Sequence, residues 1–195
     1  MKLLQVLGFW LALGSGIFVD PSYPPNTVSG GTVIAEMRIA GGNPERVTIH
    51  SGEEPFVSAA RNALAQWQFQ LDENRNALII VHFRQPNLYY LNSANEKISA
   101  VQSMGALPYP RKIIGPAYPA QGMGQGSAVL RVRISAEGRV EKIEILKSAG
   151  ILTDVSIEAV RKWEFSPAVD DRGVPETSYA YAVLVYRLPV IEPKK

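Results

Sequence analysis

Residues 159–165 read AVRKWEF, and residues 63–69 read ALAQWQF, the same phrase 96 positions upstream. Whether the flanks recur decides if the chain holds one unit or two. Tyr23-Pro24 and Tyr118-Pro119 stand 95 apart, and GTVIAEMRI from Gly31 faces GSAVLRVRI from Gly126 at the same offset. RVTIHSG from Arg46 faces KIEILKSAG from Lys142 at offset 96, which holds through Phe56 and Leu152, Trp67 and Trp163, and Phe69 and Phe165. VHFRQP from Val81 faces LVYRLP from Leu184 at offset 103. The blocks keep one order, and the offset changes only where turns are expected, where added residues cost least. Such a pattern is that of an internal duplication.

The period inside each block gives the elements. In GSAVLRVRI, Ala128, Leu130, Val132 and Ile134 alternate with Arg131 and Arg133, the pattern of a half-buried strand. SAEGRV supplies a turn with Gly138 free to take a positive φ, and VEKIEIL returns as a second strand. After Gly150 the spacing of Leu152, Val155, Ser156, Ala159, Val160 and Trp163 is helical; Pro167 prevents continuation. DDRGVPE reads as a loop and SYAYAVLVYRL as a third strand, apolar or aromatic on both faces. The first half reads alike, with a helical stripe through Phe56, Ala59, Ala60, Ala63, Leu64 and Trp67. The expected fold is α+β: two ββαβ units, each a small three-stranded antiparallel sheet with a helix packed on one face. The expected boundaries are 1–19, 20–86, 87–117 and 118–190, with a short helix near 96–102 in the third segment.

Composition narrows the function classes. The net charge of +2 is spread without a basic face, which speaks against nucleic acid as a partner. The chain has no Cys, so disulfides and thiolate sites are excluded. Met1 and Lys2 precede an uncharged run, residues 3–19. A basic start followed by an apolar run is the pattern of an export signal, and small residues offer cleavage after Gly14 or Gly16. A retained membrane anchor fits the same run, near the lower length limit for spanning. Either places the remainder outside the cytoplasm.

The Tyr118-Pro119 opening, the hairpin GSAVLRVRISAEGRVEKIEIL, SAG, LTDVSIEAVRKWEFSPA and RGVP together resemble the carboxy-terminal domain of TonB, the energy transducer of Gram-negative bacteria, over about residues 117–190. Residues 23–86 look like a degenerate second copy, lacking the Pro-Ala after the Phe and the Gly-x-Pro loop. The resemblance implies a periplasmic domain, an inner-membrane anchor, and capture of an extended segment of an outer-membrane receptor, with inner-membrane motor proteins as further partners. Physically, such capture is strand addition to an exposed sheet edge. The expected edge is the last strand, residues 178–188, with Ser178, Tyr179, Tyr181, Val183, Val185 and Arg187 as binding residues; residues 77–84 are its counterpart in the first copy. The other arrangement is a structural or assembly module, whose edges pair within the chain or in a homodimer. Two features depart from the family: Thr153 stands where an acid is common, and only DPSYPP separates the apolar run from the first unit, in place of a long Pro-rich spacer. The first unit is then expected to act as a spacer or as a dimer-like partner.

Catalytic chemistry finds little support. His50 and His82 are the only histidines, both in expected strands, and no HExxH pattern or nucleophile elbow occurs. GMGQG, residues 122–126, precedes a strand instead of linking strand to helix, so it lacks phosphate-loop geometry. Glu53 and Glu54 are explained by a helix N-terminus, and Asp170-Asp171 by a turn. The expectation is a non-enzyme with no cofactor and no metal.

Overall fold

The computed structural model describes residues 16–69, 74–84, 95–97, 106–119 and 124–188. The chain runs β1 (Gly31–Ala40), β2 (Asn43–Ser51), α1 (Phe56–Leu64), β3 (Arg75–Phe83), β4 (Asn95–Lys97), β5 (Tyr109–Ile114), β6 (Gly126–Ile134), β7 (Val140–Lys147), α2 (Leu152–Val160), β8 (Glu164–Ser166), β9 (Ala168–Val169), β10 (Pro175–Glu176) and β11 (Ser178–Tyr186). The fold is α+β. Six strands form one sheet in the order β2-β1-β3-β11-β6-β7. Its pairs are antiparallel except β3 with β11, which run parallel.

That parallel seam corrects the expectation of two separate three-stranded antiparallel sheets. Its cause is legible in β11, which is apolar on both faces. Ala180, Ala182, Leu184 and Tyr186 join one core cluster with Leu152, Val160 and Trp163 around α2. Tyr181, Val183 and Val185 join the other, with Phe56, Ala60, Leu64 and Trp67 around α1. One helix covers one face only. Pairing β11 with β3 brings α1 over the second face, where full burial of a large apolar side chain is worth roughly 1.5–3 kcal/mol. The two helices therefore lie on opposite faces of the shared sheet, and a loose spacer between halves is excluded.

Local details repeat along the chain. The indole N–H of Trp67 donates to the Val19 carbonyl at 3.1 Å, and that of Trp163 to the Ile114 carbonyl at 2.9 Å. Ile17 bridges Gln68, as Lys112 pairs with Glu164. Bulges interrupt β1–β2 at Ile34/Ala35 and Arg38/Ile39, and β6–β7 at Val129/Leu130 and Arg133/Ile134. Adding 95 to each position of the first set gives the second.

Two boundaries move. Ile17 is in a bridge, Phe18 is buried, and Val19 accepts from Trp67, so the boundary at residue 19 falls inside the fold. Within 87–117, β5 pairs with β4 and β8 and contributes Tyr109, Ile113 and Ile114 to the α2-side core; this stretch is not merely a linker. Glu96 and Lys97 lie in β4 in place of the expected helix start, and 98–102 lie outside the described residues. Within DDRGVPE, residues 170–174 form a tight turn and Pro175–Glu176 form β10, which pairs with β9. Gly138 has φ +78°, and a Cβ there would sit 2.0 Å from the Phe165 carbonyl oxygen, so the turn expected at this glycine requires it.

Candidate functional site

The six residues expected to bind lie in or just after β11. That strand pairs with β6 from Ser178 to Tyr186 and with β3 from Ala180 to Val185. The free last-strand edge expected from sequence is thus occupied within the chain. β3, the counterpart edge, lies between β1 and β11. Tyr181, Val183 and Val185 are buried; Tyr181 meets Trp67 and Phe69 edge-on, and its hydroxyl bonds Arg75. Tyr179 reaches solvent beneath the Arg131 guanidinium, 4.5 Å from its ring centroid, and Ser178 is partly buried beside it.

Arg187 belongs to a crossed arrangement at the carboxyl ends of the two parallel strands. It donates to the Thr27 carbonyl at 2.9 Å and lies 5.9 Å from the Tyr23 ring centroid. Arg84 mirrors it, donating to the Pro116 carbonyl at 3.0 Å and lying 5.1 Å over the Tyr118 ring. Each half's arginine stacks on the other half's tyrosine. Cation–π contacts of this kind strengthen when water is excluded. Burial lowers the Arg84 pKa and pushes the Tyr23 hydroxyl up to about 12. It also raises Tyr186, whose hydroxyl shares a 2.6 Å hydrogen bond with Ser156. These residues form a structural clasp. Sequence reasoning missed Arg84, Tyr23 and Tyr118 as a set; the signal was present, since Arg84 and Arg187 hold equivalent places in the fifth block and the tyrosines in the first.

Among the described residues, the unpaired borders of the large sheet are β2 and β7. Both are shielded. The bulges break the pairing, leaving four-residue regular windows at residues 35–38 with 46–49 and at 130–133 with 142–145. β2 carries Pro44, which has no N–H to offer, and Glu45 held by Arg38 at 2.6 Å. β7 alternates Lys142 and Glu144, 2.8 Å apart, with Ile143 and Ile145. Bulges, charges and proline are the usual guards against uncontrolled edge pairing.

Both histidines are paired with a neighbouring side chain. His50 Nε2 lies 3.1 Å from Glu36. His82 is buried, its Nδ1 bonded to Thr32 at 2.9 Å, and burial lowers its pKa to about 4, assisted by Arg84. Thr153 is buried, receives the Ala149 amide at 2.8 Å and bonds Ser148, so it closes the turn into α2. Glu53 accepts the Val57 amide and Glu54 the Ser58 amide. Asp170 closes its turn by accepting from Arg172 and Val174. Among the described residues no group of three or more His, Asp or Glu is placed to hold a metal, and no helix is long and apolar enough to cross a membrane.

The class defined by this geometry is an α+β protein with a mixed sheet and two helices. Residues 115–188 match the model of the family described as Gram-negative bacterial TonB protein C-terminal, which supports a TonB C-terminal domain spanning β6 to β11. The match covers 74 of 195 residues (188 − 115 + 1) and leaves the first half outside it. No curated protein matches the chain.

Proposed function

We propose that this chain is a non-enzymatic, TonB-like protein of the bacterial periplasm, serving TonB-dependent transport, whose family-matched domain is closed on its last strand by a degenerate second copy of itself. The match over residues 115–188 carries the link to TonB. The copy is supported by the repeated bulges, the two indole-to-carbonyl bonds and the crossed Arg–Tyr pairs. In this reading the first half is the dimer-like partner, and an extended segment of an outer-membrane receptor joins the sheet at an outer border, not at β11. Residues 178–187 then act by holding the two halves together. The amino-terminal apolar run serves export, or anchors the protein in the inner membrane, within reach of its motor proteins.

Titrating a receptor-derived peptide into ¹⁵N-labelled protein tests the reading. Shifts confined to 43–51 or 140–147 are expected. Shifts led by residues 178–188 would show that β11 opens to the peptide and would overturn the closed-seam reading. A second reading is favoured by the occupied seam itself: a structural or assembly module that takes no receptor segment. Absence of any shift at saturating peptide would select it.

A further inference from the structure

The β7 border carries charges that complement their own two-fold copy. Its regular window holds Lys142, Ile143, Glu144 and Ile145. Ile143 packs toward the α2-side core and Ile145 pairs with Leu130 of that core, so both point to the α2 face. Lys142 pairs with Arg133 and Glu144 with Arg131, so both point to the opposite face. When two identical strands meet antiparallel about an axis normal to the sheet, facing residues share a face, so the axis passes through one residue. An axis at Glu144 opposes two carboxylates, and one at Lys142 opposes two ammonium groups. An axis at Ile143 sets Lys142 opposite the second copy's Glu144, twice, and Ile143 opposite itself.

We propose that β7 is an isologous contact for a second copy of this chain, centred on Ile143, giving a continuous twelve-stranded sheet (6 + 6). The apolar side chains at this border fit such a role. Ile145 is 52% exposed, and Ile151, which opens α2 on the same face, is 55% exposed. In the pair they gather around the Ile143 axis on one face, while the Lys142–Glu144 pairs lie on the other. The bulges on either side confine the contact to a few residues, so the dimer is weak and depends on concentration. β2 lacks this complementarity: its window, residues 46–49, holds Arg46 and no acid. The contact would occupy the same free side of β7 that a receptor segment could use, and it is tested without any peptide, so its failure and that of the receptor reading are distinguishable.

The chain has no Cys, so Ile143→Cys in the full-length protein reports the axis through a short bismaleimide. A cross-linked dimer is expected. Lys142→Glu added to it should cut the yield about tenfold, the change expected when both attractive pairs become repulsive; Lys142→Glu with Glu144→Lys should restore it. Failure of Ile143→Cys to cross-link while Thr48→Cys in β2 does, or a yield indifferent to Lys142→Glu, overturns the proposal. Should Ile143→Cys not fold, sedimentation of the unsubstituted chain decides: concentration-dependent dimer supports it, and monomer up to about 1 mM chain, where even a millimolar Kd would pair much of the protein, refutes it.

Discussion

At the scale of single residues, the two tryptophans and one histidine carry most of what can be tested. Trp67 and Trp163 are fully buried, each donating to a carbonyl from a segment that precedes its own hairpin. Each indole therefore ties an incoming segment of chain to the end of its helix. Trp163→Ala should cost about 3–5 kcal/mol, read as a lower midpoint in urea denaturation. His82 gives a pH signature. Its folded pKa of about 4 lies below the ordinary 6.5 because burial disfavours the charged ring. The unfolded chain then binds more protons between those values. The contribution is whole above pH 6.5 and falls away as pH drops toward 4, by about 3 kcal/mol for 6.5 − 4 units at about 1.4 each. Denaturation across that range should show the loss in the native protein and not in His82→Asn. Both tryptophans were legible from sequence because their apolar stripe is local. The burial of His82 was not, since it depends on a strand that arrives about a hundred residues later.

At the scale of elements, the hairpins and helices followed from period and turn chemistry. Gly138 shows how firmly: Gly138→Ala would drive a methyl into the Phe165 carbonyl at a positive φ, and thermal unfolding should register a loss of at least about 2 kcal/mol. What local pattern did not deliver was the neighbour of each last strand. The clue lay in composition. Residues 78–81 and 180–185 are apolar on both faces, as strands covered on two sides are, yet among the described residues each half owns one helix. A strand so written needs a second layer from elsewhere, and the other half supplies it. The expected open edge at Tyr181, Val183 and Val185 failed for that reason: left at a border, these side chains would have faced water. Ile80→Pro, which removes a backbone donor at the centre of β3, should unfold both halves together.

At the scale of the whole molecule, the seam makes one cooperative body of two similar halves. Parallel pairing with helices on opposite faces is what a two-fold axis along the strands produces, and the crossed Arg84–Tyr118 and Arg187–Tyr23 contacts sit at its end. The recurring blocks were readable from sequence; the way the two halves join was not, because no residue spacing encodes which strand a distant strand will meet. The edge of β11 that β6 leaves open is filled from within by β3, and the borders left to the sheet are β2 and β7, each broken by bulges and carrying charges. Unfolding should be a single transition, with tryptophan fluorescence and far-ultraviolet circular dichroism coincident; two separable transitions would mean the halves do not share a core.

Hydrogen exchange followed by mass spectrometry tests the seam most directly. The account predicts that amides of residues 77–83 and 180–185 are the slowest in the chain and exchange together, at the free energy of global unfolding, while those of β2 and β7 exchange sooner through local opening. Rapid exchange along residues 180–185, or protection there that is lost independently of residues 77–83, would contradict it.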